Sequence, residues 1–359
     1  MEYIEHPSQM LSNRAVELIR RVAPKAEISR QLQSDQLELI YKQRWLKMFV
    51  PKKSGGLELS IPKVLSIEES LAWADGSTGW LITLCAGAAW FVGFLHPELT
   101  REIFINDAVC IAGSGSPSGS AEITPEGYLL NGYWKYASGS LHATAFTANC
   151  LIKKNGKQLL NKVGKPLIMP FLMKPDEVTI HKTWNSTGMI ATGSNSFEVK
   201  NLMLSESRSF HVNPGAAVID NPVFRYPFLQ LAETTLTVNL SGLAVRFLDL
   251  CEEIVSTKTG KSSPSTKRVR QAKQKLNNKR IQFFNAAGTS WKSCVSKDVI
   301  PATELRKVSS ASHQLAKQAL QSVDQTYPLC GLIAADAGHE INRVWRDIHT
   351  ASQHSLFKI

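Results

Sequence analysis

At 359 residues, 43% hydrophobic and 20% charged, the chain is long enough for two or three domains with substantial cores and carries no signature of disorder. Its net charge of +11 is concentrated: eleven Lys and Arg residues and no acid lie between Glu253 and Asp298. Six cysteines stand far apart, with no Cys-x-x-Cys pair and no His/Cys cluster at ligand spacing, which argues against a disulfide framework or a metal centre and for reduced, mostly buried thiols in the cytoplasm.

The N-terminal residues show no basic segment followed by an apolar run, so no signal peptide is expected. Residues 11–22, 35–47 and 61–74 repeat apolar side chains at three- and four-residue spacing and predict helices, with Pro62 in a first turn, where it is tolerated. Residues 76–97 carry no formal charge. Their purely apolar part is shorter than the ~20 residues a membrane span needs, and Thr83, Gly87 and Gly93 interrupt it. We expect a buried core helix, capped by Asp75 or Ser77, and another starting at Pro97. Residues 1–108 thus form a helical domain.

From 109 to 210 the period shortens. Residues 128–137, 144–152, 166–173 and 194–204 alternate or run apolar over strand lengths, with Gly, Pro and Asn between them. Residues 116–132 read as a loop, a short strand, a turn at 125–127 and a second strand. The expectation is a compact antiparallel β domain. Residues 211–359 return to helix at 229–255, 266–291, 302–323 and 334–352, a four-helix bundle whose second helix bears the basic residues. The first of these has apolar residues on more than one face.

Two segments, 132–151 and 183–199, combine aromatics with Gly, Ser and Thr and carry little charge. Such segments suit a large flat ligand whose polar edge is bound by hydroxyls and backbone N–H groups. A third, residues 341–354, places Arg343, Arg346 and Asp347 at i, i+3 and i+4, a spacing that favours a structural Arg–carboxylate pair. Ser140 and His142, two apart, do not make a catalytic triad.

These three segments, set in a helical, β and four-helix order, resemble the acyl-CoA dehydrogenase superfamily over nearly the whole chain. The closer similarity is to its two-component, reduced-flavin monooxygenase branch. The resemblance implies a reduced flavin, FMN or FAD, delivered by a separate reductase, a small aromatic substrate and a homotetramer. It implies that Ser114 and Ser116 meet the pyrimidine edge of the flavin, that Ser138 stands beside its N5, that Trp184 packs against the ring, and that Thr192 and Ser194 follow in the next turn. The residue nearest the dehydrogenases' C-terminal catalytic glutamate is His354, and no acid follows Asp347. A histidine there implies deprotonation or orientation of a phenol, suited to a pKa near neutrality. His349 is its competitor.

Two departures accompany the resemblance. Hydroxylases of this branch carry a histidine about seven residues after the tryptophan equivalent to Trp80, where this chain has Gly87. The Arg-x-x-Phe-Gly clamp on the FAD pyrophosphate is replaced at residues 256–260 by Ser-Thr-Lys-Thr-Gly, which favours FMN or a flavin received from a reductase. The basic run is read as a solvated helix face or a phosphate-binding surface with Arg280 as its contact. Nucleic acid is not the expected partner. The alternatives are an acyl-CoA dehydrogenase with a displaced base and a non-enzymatic DNA- or ligand-binding member of the fold.

Overall fold

The computed structural model describes residues 3–296 and 299–357; Lys297 of the basic run, and Asp298 that bounds it, lie outside the described residues. The N-terminal part comprises α1 (Asn13–Ser29), α2 (Ser34–Lys42), α3 (Ile61–Ala74), α4 (Gly76–Ala89) and α5 (Pro97–Phe104). The Ser12 hydroxyl accepts the Ala15 N–H at 3.3 Å to start α1. The expected helix at 35–47 stops at Lys42, because Arg44 adopts a left-handed φ of 54° and a 3-10 turn follows that swings Trp45 and Leu46 into the core. Asp75 caps α4, its carboxylate accepting the Thr78 N–H at 2.9 Å and the Thr78 hydroxyl at 2.7 Å. α4 is buried along most of its length. No helix among the described residues is long and apolar enough to cross a membrane.

The middle of the chain forms one sheet from β1 (Ile111–Thr124), β2 (Gly127–Ala137), β3 (Ala145–Lys154), β4 (Lys157–Gln158), β5 (Ile168–Met173), β6 (Thr179–His181) and β7 (Asn195–Leu204). The order is β4-β3-β1-β2-β7-β6, with β5 also on β3. The sheet is mixed, not wholly antiparallel as expected: β1 and β3 run parallel, Ile111 opposite Ala145. The cause is topological. β7 occupies the free edge of β2, so the chain leaving β2 crosses to the far side of β1 and resumes β2's antiparallel partner direction there. The sheet has its own core around Trp134, Phe146, Phe171 and Phe197. Gly119 and Gly132 make room for the Trp134 indole, since a Cβ at either would lie within 2.4 Å of it.

The remainder is helical: α6 (Pro222–Arg225), α7 (Phe228–Thr259), α8 (Pro264–Ser296), α9 (Ala302–Cys330), α10 (Leu332–Ala335) and α11 (Glu340–Ala351). The helix expected at 334–352 is therefore split, with the His339 side chain capping α11 through the Ile341 N–H at 3.3 Å. α7 is buried on almost every side because it packs against α3, α4, α8, α9 and α11. Its several apolar faces are thus covered within one chain. A second subunit is not needed to bury them.

Candidate active site

The turn after β2 and the turn before β7 meet edge to edge. Gly139 N–H donates to Thr192 O at 2.8 Å and the Ser140 hydroxyl to Gly193 O at 2.7 Å. Asn195 fastens the pair further, donating to Gly193 O at 3.1 Å and accepting the Trp184 N–H at 3.1 Å. The structure thereby brings together Ser138, Trp184, Thr192 and Ser194, four of the residues singled out from sequence.

Their hydroxyls form a row. The Thr192 hydroxyl donates to Met189 O at 2.7 Å, and its oxygen lies 2.7 Å from Ser194 Oγ, which lies 2.8 Å from Ser138 Oγ. Each hydroxyl has one proton. Thr192 spends its own on the carbonyl, so Ser194 donates to Thr192 and Ser138 donates to Ser194. Ser138 Oγ is left with lone pairs alone, an acceptor for an incoming N–H. Trp184 donates its indole N–H to the same Met189 carbonyl at 2.9 Å, and its ring stays half-buried. Tyr136 stands edge-on to that ring at 6.1 Å, 68% exposed and in a left-handed backbone (φ 67°) at a register break between β2 and β7. Sequence patterning did not single out Tyr136, because a bulge is invisible until the strands are paired.

Ser114 and Ser116 lie where the β1–β3 register breaks between Ser114 and Gly119; residues 115–118 are exposed there, and Ser116 N–H reaches Ser114 Oγ at 3.5 Å. Arg280 is elsewhere altogether. It is 3% exposed between α8 and α3, donating to both oxygens of Glu69 at 2.7 and 2.8 Å, to Asn277 Oδ1 at 2.9 Å and to Glu5 O at 2.9 Å. Helical spacing placed it among solvent-facing lysines, but it is the one basic residue of the run on the buried stripe of α8, so the phosphate contact assigned to it does not stand.

α4 is the common wall. A Cβ on Gly139 would sit 2.9 Å from Cys85 Sγ and 3.5 Å from Leu81, so the helix packs directly under the Ser138 turn. One residue earlier in α4, Trp80 meets His354 edge-on at 6.0 Å. Leu84, Gly87 and Ala88, following Trp80 along the helix, and Phe91 in the 3-10 turn after it, are only partly buried, and a Cβ on Gly87 would touch nothing within 4 Å. The space beside Gly87 is open.

His354 follows α11. Burial lowers its pKa, so the ring is neutral near pH 7. Its Nδ1 accepts the Leu356 N–H at 3.3 Å. That bond selects the tautomer with the proton on Nε2, which presents a donor. The geometry therefore suits orienting a substrate oxygen better than removing its proton. His349 is committed elsewhere, 3.1 Å from Asp324 Oδ1 and packed on Trp345 at 4.6 Å. Both histidines border a cleft of about 300 Å3 against α9, with Asp324, Gln353 and Phe357 among its walls.

The Arg–carboxylate pair expected within α11 is not formed. Arg343 faces Asp75 at 3.7 Å, Arg346 pairs with Glu27, and Asp347 accepts the Met189 N–H. The i, i+4 spacing is real, but partners from α1, the α3–α4 junction and the 186–194 turn are available at shorter reach.

The donor set fits a flavin: an enclosed acceptor hydroxyl, a flat half-buried indole and an exposed serine-rich strand segment. In comparisons with known proteins, the family described as acyl-CoA dehydrogenase, C-terminal domain, matches residues 237–359. The indole-3-acetate monooxygenase of Pseudomonas putida is 27% identical over 86% of this chain and 80% of its own length. The flavin-dependent monooxygenase oxygenase subunit HsaA of Rhodococcus jostii is 23% identical over 94% and 91%. The crystal structure of a 3-HSA hydroxylase from a Rhodococcus species superposes with a TM-score of 0.90 at 21% identity, covering 99% of this chain and 94% of that one. With the helical, sheet and bundle order already described, these matches show the acyl-CoA dehydrogenase fold and a similarity over most of the chain to flavin-dependent monooxygenases.

Proposed function

We propose that the chain is the oxygenase component of a two-component monooxygenase that receives reduced flavin from a separate reductase and hydroxylates a small aromatic substrate. In that reaction one oxygen atom of O2 enters the product and the other leaves as water, with the two electrons supplied by the reduced flavin. The observation that carries the reading is the polarised row ending at Ser138, set beside Trp184 on the same α4 wall as His354. Ser138 Oγ would accept an N–H of the flavin's central ring, Trp184 would cover one edge, and the stripe from Leu84 to Phe91 would receive an apolar ring. The relatives' names support an aromatic substrate. The free, buried cysteines support a cytoplasmic setting.

The dehydrogenase alternative needs a carboxylate base. Glu233, on α7, is turned toward α9 and bound to the Ser309 hydroxyl, and Glu68, on α3, is completely enclosed. The nucleic-acid alternative draws on the basic run, of which Arg270 and Lys273 are held by Glu252 and Asp249 and Arg280 by Glu69. Loading the protein anaerobically with reduced FMN or FAD, then adding isotopically labelled oxygen with phenols and indoles, should yield a product carrying one labelled atom. If every electron appears as hydrogen peroxide across the panel, or if acyl-CoA thioesters reduce the bound flavin, the reading fails.

Ser138→Ala removes the acceptor. Loss of a hydrogen bond to a buried N–H costs on the order of 1–3 kcal/mol, so peroxide should be released at least several-fold faster after oxygen is admitted. An unchanged release rate would take Ser138 out of the site. We also propose that the chain self-associates as a homotetramer. With the faces of α7 covered, this rests on Phe228 (43% exposed) and Leu229 (51% exposed) at its start. Sedimentation at micromolar concentration should give four times the chain mass; a monomer would end the proposal.

A further inference from the structure

The turn that carries the hydroxyl row is docked on α11 at three points. Arg346 Nη1 donates to Thr187 O at 2.7 Å. Gly188 lies so close to α11 that a Cβ would fall 2.1 Å from Arg346 O and 2.6 Å from Asp347 N. Asp347 Oδ1 then accepts the Met189 N–H. Met189 needs such a partner, because it holds a left-handed conformation (φ 53°, ψ 31°) that is unfavourable for a residue with a side chain. From Met189 the ordering spreads: its carbonyl receives both the Trp184 indole and the Thr192 hydroxyl, and Thr192 fixes Ser194 and Ser138.

The other carboxylate oxygen of Asp347 is buried without a hydrogen bond. It is packed against Gly76, where a Cβ would approach it to 2.6 Å, and beside Leu243 of α7. A purely structural carboxylate would gain by satisfying both oxygens. We propose that Asp347 is a positioning residue: neutral, it holds the 186–194 turn and with it the Ser138 row in register, and ionised, it loosens them.

The surroundings support titration in the working range. Burial first, and then Asp75 at the α3–α4 junction, raise the Asp347 pKa to about 7; the Met189 N–H and Arg343 oppose this, and Glu27 of α1 adds to the rise. Arg343 is itself shared with Asp75, and Arg346 with Glu27, so neither cation is free to hold Asp347 ionised. A charge-assisted bond to Met189 N–H is about twice as strong as a neutral one. Burial outweighs that bond, so the closed turn takes up the proton more readily than the open one; it is firm below pH 7 and loosens above it.

The hold on the turn is a property of the chain alone; its bearing on the cofactor rests on the function proposed above. Hydrogen exchange in the peptide spanning residues 184–194 tests it without flavin. After correction for intrinsic chemistry, exchange in the parent should slow about tenfold from pH 8.5 to pH 6, the equivalent of roughly 1.4 kcal/mol. Asp347→Asn keeps an acceptor but cannot ionise, so its exchange should show no such step, while Asp347→Ala should exchange fast throughout. A step that survives in the asparagine variant, or a parent with no step, overturns the proposal; if the alanine variant does not fold, the asparagine variant alone decides. Reduced-flavin affinity measured on the same samples separates the two readings: exchange that follows Asp347 without any change in affinity keeps the hold and removes the flavin from this turn.

Discussion

Replacing Arg280 by alanine is expected to destabilise the fold by about 3–5 kcal/mol, the usual cost of leaving one member of a buried ion pair unpartnered. Arg280 and Glu69 are each 3% exposed, joined by two hydrogen bonds, and Glu69 also accepts from the Ser241 hydroxyl. The pair ties α8 to α3 and, through Glu5 O, to the N-terminal segment. Against a total stability of roughly 5–15 kcal/mol, that loss should appear as a much lower melting midpoint and poor soluble yield. Arg280→Met combined with Glu69→Leu should recover much of it, because the desolvated charge is gone. An alanine variant that melts within about a degree of the parent and instead binds flavin weakly would restore Arg280 to the cofactor.

His354→Ala should lower coupled product formation by about 10²–10³-fold, the range for removing one positioned donor to a developing oxyanion, while leaving flavin binding nearly intact. The tautomer set by Leu356 allows a sharper experiment. His354→Gln retains an N–H near the Nε2 position but no base, so a donor role predicts substantial rescue and a base role predicts none. The pH dependence has a definite sign. Burial lowers the histidine pKa, so the neutral ring persists down into mildly acid solution. As pH falls through that value, a proton on Nδ1 faces the Leu356 N–H, the contact is lost and the rate drops. The glutamine variant should not show this acid limb. Full coupled turnover in the alanine variant would make His354 a bystander and turn attention to His349.

Much of the architecture was legible because it depends on period and punctuation. The change from three- and four-residue spacing to alternation near residue 109, and back after residue 210, is written in side-chain hydropathy along the chain. The parallel β1–β3 pair was not, since strand direction depends on which edge β7 occupies, and that is a contact between segments some 50 residues or more apart. The Ser138, Thr192, Ser194 and Trp184 constellation could be named from sequence because segments 132–151 and 183–199 resemble the flavin-contacting segments of the family. The order of its protons needed the Met189 carbonyl as a fixed end. Arg280 and Asp347 show the opposite case. Spacing on one helix says which residues share a face, but it does not say what lies across from that face. Glu69 is 211 residues from Arg280, and Met189 is 158 from Asp347.

That last separation has a consequence for the order of events during synthesis. The sheet has its own hydrophobic core and can organise as soon as residues up to about 210 have emerged. At 5–20 residues per second, roughly 7–27 s pass before the ribosome delivers Asp347. Throughout that interval Met189 has no acceptor for its N–H and no reason to remain left-handed. The nascent protein therefore possesses a folded sheet with an unfinished ligand wall, and cofactor loading waits for α11.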